Sequence, residues 1–395
     1  MKVFLSILLA LLTVFFAVSC TSGDKAVLPP DTSDSIAESI SETVENELDT
    51  MEVGVENITP CDTTYIKWFG RTDILKDGSV GFDYTASGFE VKFRGSRLAL
   101  TIDSTEYDND SFRAYVTVIV DGEDYGSASV YALDKKDKQI ELELAEGEHT
   151  VKVLKRSEAL RSRAFLRALD TDGVFLKPDA RRERYIEFYG DSITCGYGNM
   201  TNDTNIPFTT EKENGLSTYA FITAENLGAE ASVISRSGIA VNKNVALDKL
   251  DLPSLVGRRS FTDSGEYKSD RIPDAVVIYG GVNDLTYIRT ATDTAEKNKR
   301  HDEFVAKYVT MLRDILSRYP GVTVFCCTNM YSEGGYMGVL IKQAIKEVAS
   351  DKVVYVSLPA KADSDGVGSQ GHPTNKTHAK AAAVLTDAIK EKLAW

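Results

Sequence analysis

Between Lys177 and Arg184 the hydrophobic pattern of this chain changes period, and that change constrains the fold more than any other feature of the sequence. Upstream lie short runs at residues 80–84, 89–93, 98–102, 115–120, 140–144 and 150–154, several of which alternate apolar and polar side chains. Successive side chains of a strand point to opposite faces, so such alternation means half-buried strands. Asp121-Gly122 and Glu146-Gly147 read as turns between them. No helical pattern intervenes, so residues 61–180 are predicted to form an antiparallel β-sandwich of jelly-roll type.

Downstream, strand-like runs at 185–189, 231–235, 274–279, 322–327 and 353–358 alternate with helical ones at 219–227, 337–349 and 375–393. A further helix is marked by Phe304, Tyr308, Met311, Leu312, Ile315 and Leu316 on one face and ends near Tyr319-Pro320-Gly321. Strand–helix alternation demands parallel pairing with crossover helices. Residues 181–395 are therefore predicted to form an α/β/α three-layer domain around a flavodoxin-like parallel sheet.

The N-terminus reads as an address. Lys2 precedes an apolar run over residues 3–18, followed by Ala17-Val18-Ser19-Cys20. The run falls short of the ~20 residues a spanning helix needs, and fits a signal peptide over residues 1–20. Its end resembles a bacterial lipobox, in which the Cys20 thiol receives lipid. Residues 21–60 hold ten acids and one base, the larger part of the net charge of −14, and read as a solvated acidic tether. Within it Ile36, Ile40, Val44 and Leu48 recur every four residues, the spacing of a weak helix. The expectation is an exported bacterial lipoprotein, anchored at a membrane surface by lipid alone, in the periplasm or on the cell surface. So acidic a chain is not built to grip nucleic acid. Cys61, Cys195, Cys326 and Cys327 form no CxxC and no His/Cys cluster, so no metal is expected; Cys326-Cys327 reads as part of a buried strand.

In open parallel sheets the ligand crevice lies at the carboxyl ends of the strands. Four segments arrive there: Gly190-Asp191-Ser192, Arg236-Ser237-Gly238, Gly281-Val282-Asn283-Asp284 and, before the last helix, Gln370-Gly371-His372-Pro373. A serine hydroxyl is a weak nucleophile that needs a base, and a histidine supplies one near neutrality. Ser192 and His372 are thus the candidate catalytic pair. The Ser192 N–H, the Gly238 N–H and the Asn283 amide are candidate oxyanion donors, with Asp191 and Asp284 supporting them. Such chemistry needs no cofactor. Of the other histidines, His378 falls within the final helix as a packing residue, His301 reads as surface, and His149 sits in the β half.

These blocks resemble the SGNH (GDSL-type) hydrolases. The longer strings, residues 190–199 (GDSITCGYGN) and 372–378 (HPTNKTH), together with Phe69-Gly-Arg-Thr72 and residues 149–158 (HTVKVLKRSE), are similar to carbohydrate esterase family two. The resemblance spans roughly residues 62–395. It implies a jelly roll ahead of an SGNH domain, and removal of acetyl groups from plant polysaccharides such as xylan. The family often carries Asp two residues before the histidine, and the wider superfamily three before; here Gln370 and Ser369 stand at those places. Orientation of His372 therefore falls to a backbone carbonyl, or to Asp363 or Asp365 curling back. The expected partner is an acetylated carbohydrate. Rival readings are an esterase for peptidoglycan, sialic acid or short-chain lipid esters, and a catalytically silent glycan-binding lipoprotein. For the β half they are a wall of the cleft or an independent sugar-binding module.

Overall fold

The computed structural model describes residues 54–244, 250–262, 264–269, 271–331 and 334–395. The signal peptide, Cys20 and the tether up to residue 53, with its four-residue apolar repeat, lie outside the described residues.

The β half comprises β1 (Ile66–Phe69), β2 (Thr72–Ile74), β3 (Val80–Phe82), β4 (Gly88–Ser104), β5 (Tyr115–Val120), β6 (Ser129–Ala132), β7 (Lys138–Lys155), β8 (Ala164–Thr171) and β9 (Val174–Leu176). All pair antiparallel in one nine-stranded sheet, ordered β2-β3-β8-β4-β7-β5-β6, with β1 and β9 also on β4. The β half is thus one antiparallel sheet, a half-barrel around a single core. Runs 89–93 and 98–102 belong to one strand, β4, and runs 140–144 and 150–154 to another, β7. The two pair from Gly88↔Leu154 to Ile102↔Lys138, with a bulge between Gly95 and Arg97. Glu146-Gly147 is accordingly no turn: Gly147 pairs with Gly95, where both strands continue past the bulge. The Asp172 carboxylate accepts the Ser96 and Arg97 N–H groups, both at 2.9 Å, that the bulge frees from the ladder. One core, including Trp68, Phe82, Phe89, Phe93, Leu100, Val118, Val153 and Phe175, fills the folded sheet. Asp121-Gly122 does turn the chain, both residues having positive φ.

The second half contains β10 (Arg184–Gly190), α1 (Ser192–Cys195), α2 (Tyr219–Asn226), β11 (Ala229–Ser235), β12 (Ala275–Tyr279), α3 (Asp284–Arg289), α4 (Thr294–Arg318), β13 (Thr323–Thr328), α5 (Gly334–Val348), β14 (Val353–Ser357) and α6 (Asn375–Leu393). The five strands are parallel in the order β11-β10-β12-β13-β14. One face packs on α4 and α5 through Phe304, Tyr308, Leu312 and Ile341. The other packs on α2 and α6 through Tyr219, Ala224, Leu385 and Ile389. Cys326 joins the first core and Cys327 the second, as strand alternation requires. Helix α4 begins ten residues before its first apolar marker. Asp293 caps it by accepting the Glu296 N–H at 2.7 Å, and its first turns are charged and mostly exposed.

The halves join into one compact unit over residues 54–395. Arg71, 1% exposed, crosses from the β half into the second. Its guanidinium donates to the carbonyls of Leu255 (2.8 Å), Val256 (2.9 Å) and Arg258 (2.6 Å) and to the Tyr189 hydroxyl (2.7 Å), with Glu187 at 3.5 Å. Burying a guanidinium is costly unless its donors are met, and here two nitrogens meet five acceptors.

Candidate active site

Strand β10 lies between β11 and β12, where the strand order reverses, so a crevice opens at their carboxyl ends. Ser192 is the first residue of α1 and its N–H has no intrahelical partner. Asp191 caps the helix, its carboxylate accepting the Ile193 N–H at 3.0 Å. The chain leaves α1 through Gly196 and passes Tyr197 to Gly198, which has φ +59° and lies so near the loop before α6 that a Cβ would come 2.5 Å from the Ser369 Cβ. Only glycine permits that approach. The Ser369 N–H then bonds the Gly198 carbonyl at 3.2 Å.

That loop presents His372. Pro373 keeps His372 extended, at φ −71° and ψ 158°. Its Nε2 stands 2.8 Å from the Ser192 Oγ, and its Nδ1 stands 3.1 Å from the Ser369 carbonyl oxygen. A carbonyl only accepts, so Nδ1 carries the proton and Nε2 offers its lone pair to the serine hydroxyl. Neither Asp363 nor Asp365 fills this role. Asp365 is held by the Lys380 ammonium at 2.5 Å, and Asp363 lines a polar hollow with Asn199, Asn202 and Lys376. Gln370 turns away in the left-handed region (φ 53°) and accepts the Tyr197 hydroxyl at 3.0 Å. Burial, with the like charge of Lys361 as a smaller cause, pulls the His372 ring down to about 4. The ring is therefore neutral, and able to accept a proton, across the whole neutral range.

The oxyanion candidates surround the same strand ends. Arg236 N–H bonds the Gly190 carbonyl at 3.2 Å, seating residues 236–239 beside Ser192. Gly238 has φ +76°, and among the described residues its N–H has no hydrogen-bond partner. Asn283 spends one amide hydrogen on the Ile239 carbonyl at 2.9 Å and keeps the other. The Asp284 carboxylate gathers the N–H groups of Val241, Asn242 and Lys243 at 2.9, 2.8 and 3.0 Å, holding the same loop further along. Burial raises the Asp284 carboxyl to about 6 against those three donors. Burial, and then the Asp284 charge, lifts Asp191 to about 7.

The sequence reading missed the wall around the base. Tyr197 stacks on Phe208 with centroids 3.8 Å apart and lies 4.5 Å from the His372 ring. Tyr331 meets that ring edge-on at 6.1 Å. The Arg161 guanidinium covers Phe208 and Tyr197 at 4.8 and 5.8 Å. Lys361 donates to the Gly371 carbonyl at 2.5 Å and covers Tyr331. Tyr197 sits inside the 190–199 string, its only sequence signal; a role for Arg161 had none. The remaining histidines lie elsewhere. His149 braces the Asp121 turn at 2.8 Å, His301 bonds the Tyr336 hydroxyl, and buried His378 accepts the Tyr219 N–H at 3.1 Å, capping α2. Among the described residues one buried group has metal-ligand spacing: Glu158, Cys195 and Glu213, with ligand atoms within 4.8 Å. Its charge is already answered from within. Arg161 Nε bonds Glu158 Oε1 at 3.1 Å, and the Lys155 ammonium lies buried beside it on the Ser157 and Glu158 carbonyls.

Two family models match the chain. The GDSL-like lipase/acylhydrolase family covers residues 188–380, and the carbohydrate esterase 2 N-terminal family covers residues 68–178. The chain is a homologue of the family two carbohydrate esterases. It is 33% identical over 350 residues to the cellulase/esterase CelE of Acetivibrio thermocellus, a match over 85% of this chain and 40% of that protein. The chain thus spans less than half the length of that relative. It is 25% identical over 346 residues to an acetylxylan esterase/glucomannan deacetylase of Cellvibrio japonicus, covering 84% of this chain and 90% of the other. The structure of a family two carbohydrate esterase from Clostridium thermocellum, in complex with cellohexaose, superposes with a TM-score of 0.74 at 28% identity, over 84% of this chain and 99% of that one.

Proposed function

We propose that this chain is a carbohydrate O-acetyl esterase acting on acetylated xylan-type hemicellulose through a Ser192–His372 dyad. The observation that carries the reading is the 2.8 Å contact from Ser192 Oγ to a His372 ring whose other nitrogen faces a carbonyl. Ser192 Oγ attacks the acetyl carbonyl carbon while His372 Nε2 takes its proton. Negative charge develops on the carbonyl oxygen, facing the Ser192 and Gly238 N–H groups and the free hydrogen of Asn283. The tetrahedral intermediate collapses, and the sugar oxygen leaves with the proton from His372. Water, activated by the same ring, then releases acetate from the acetyl-serine. No cofactor enters. The Ser369 carbonyl takes the part a third carboxylate plays in a full triad, fixing tautomer and ring orientation.

The relatives named for acetylxylan and glucomannan support a neutral acetylated polysaccharide as substrate, and the net charge of −14 favours it over an anionic glycan. The leader and Cys20 support export and lipid anchoring, with the acidic tether as spacer. Release of p-nitrophenol from p-nitrophenyl acetate by wild type, lost in Ser192→Ala, tests the enzyme. Acetate release from acetylated xylan, glucomannan and peptidoglycan ranks the substrates. A wild type that turns over no ester, yet binds glycan, establishes the silent-lectin reading instead. Cys20→Ala tests the anchor: the protein is expected to move from the membrane to the soluble fraction.

A further inference from the structure

The string 149–158 ends in Glu158, a β-half residue to which the reaction assigns no part. Its side chain is fully buried and reaches across into the second half. Oε2 accepts the Ser237 N–H at 2.6 Å, directly before Gly238. Oε1 accepts Arg161 Nε at 3.1 Å, and Arg161 in turn covers the Tyr197–Phe208 stack against which His372 packs. The segment carrying Glu158 is itself held: its N–H bonds Glu213 Oε2 at 2.9 Å and its carbonyl takes the Lys155 ammonium at 2.9 Å.

We infer that Glu158 is a positioning residue for the esterase reaction, fixing the Gly238 oxyanion donor by its grip on the Ser237 N–H and steadying the wall of His372 through Arg161. The inference rests on the function proposed above. The Ser237–Gly238 turn is pinned on one side by this carboxylate and on the other by Asn283, which bonds the Ile239 carbonyl at 2.9 Å. Gly238 has no side chain to anchor it; besides its neighbours' contacts only its own carbonyl is held, by Asn244 Nδ2 at 2.8 Å, so loss of the Glu158 grip removes one of three ties on the turn. An oxyanion donor contributes only when preorganised at the position the charge will occupy. Loosening the turn therefore weakens transition-state binding and leaves ground-state binding nearly unchanged. No part of the β half touches the reacting atoms in this scheme; its carboxylate acts through the loop.

The test is steady-state kinetics with p-nitrophenyl acetate on wild type, Glu158→Ala, Glu158→Gln and Glu158→Asp, with thermal melting of each and the inhibition constant of phenylboronic acid, which forms a tetrahedral adduct on an active serine. Glu158→Ala is expected to lower kcat about 10–100-fold, less than outright removal of a donor, with KM within about twofold. Phenylboronate is expected to weaken in step. Glu158→Gln keeps an amide oxygen for the Ser237 N–H but turns its NH2 toward Arg161 Nε, and is expected to recover part of the rate, more than Glu158→Asp. Glu158→Asp keeps the charge but withdraws it by one methylene and is expected to recover little. If the alanine variant fails to fold, the glutamine–aspartate contrast reads the same property. The inference is overturned if Glu158→Ala keeps wild-type kcat, if the loss falls on KM, or if glutamine is no better than aspartate. A wild type without esterase activity overturns the proposed function and this inference together.

Discussion

The β half sends two fully buried charged side chains into its neighbour, and they do different things. Arg71 ends against three loop carbonyls and the phenol of Tyr189, and everything it touches is scaffold. Glu158 ends against the amide of Ser237, one residue from the Gly238 donor, and against the arginine that covers the wall of the base. Both lie in the strings that mark this half of the chain as esterase-like. The contrast says that such a module can be bound to a catalytic domain in two senses. One contact ties the two halves together, and the other makes the edge of the active site depend on a connecting segment of the β half, between β7 and β8. It also argues against the β half as an independent sugar-binding module.

The comparison sharpens under mutation. The largest effect is expected from neither anchor but from Ser192 and His372 themselves. Ser192→Ala and His372→Ala should each lower kcat by at least ~10⁴-fold, with the double variant no worse than either single one in initial-rate assays. Next comes Arg71→Met, which strands Tyr189, Glu187 and three carbonyls. It should cost about 3–5 kcal/mol in denaturant unfolding while the folded fraction keeps kcat within a few-fold. A large kcat loss at unchanged stability would erase the distinction between the anchors. Asp284→Asn, which removes one acceptor oxygen from the cradle of residues 241–243, should lower kcat about tenfold, a smaller effect than losing an oxyanion donor itself.

The smallest effect lies in pH. The base must be neutral to act, and burial lowers its affinity for protons. The His372 contribution should therefore hold as pH falls through the ordinary histidine range of ~6.5 and decline only near 4 in a kcat/KM profile, while protonation of Asp284, raised by burial to about 6, should add a shallower loss below that pH that Asp284→Asn abolishes. Stability follows the same sign. The unfolded chain binds a proton at His372 and His378 that the folded one refuses, so these residues erode stability as pH drops from about 6.5 toward 4. Lys361→Met removes a positive neighbour and should move the acid limb slightly upward.

Much of this was legible in the residues. The change of period near residue 180 separates the two sheets, and three strand ends and one loop bring Ser192, Gly238, Asn283 and His372 to one edge because parallel connections leave no other place for them. The rest had no signature to read. Glu146-Gly147 looks like a turn between short strands, and only the pairing of Gly147 with Gly95 across the ladder shows one bend in two long strands. The first turns of α4 face water and carry no apolar stripe. Ser369 and Gln370 in place of the usual Asp pointed to a main-chain carbonyl as one acceptor for His372, but any residue supplies a carbonyl, so that it is the one of Ser369 was not legible. Glu158 and Arg161 act across the interface between the halves, where sequence spacing says nothing about proximity.

The central claim, that Ser192 is made nucleophilic by a histidine oriented through a carbonyl, is tested most directly by covalent labelling. Wild type and His372→Ala are incubated with a fluorophosphonate, and the adduct is located by intact mass and peptide mapping. One adduct, on Ser192, absent from the His372 variant, is the expected result. No adduct, an adduct on another serine, or equal labelling of the two proteins would contradict the account.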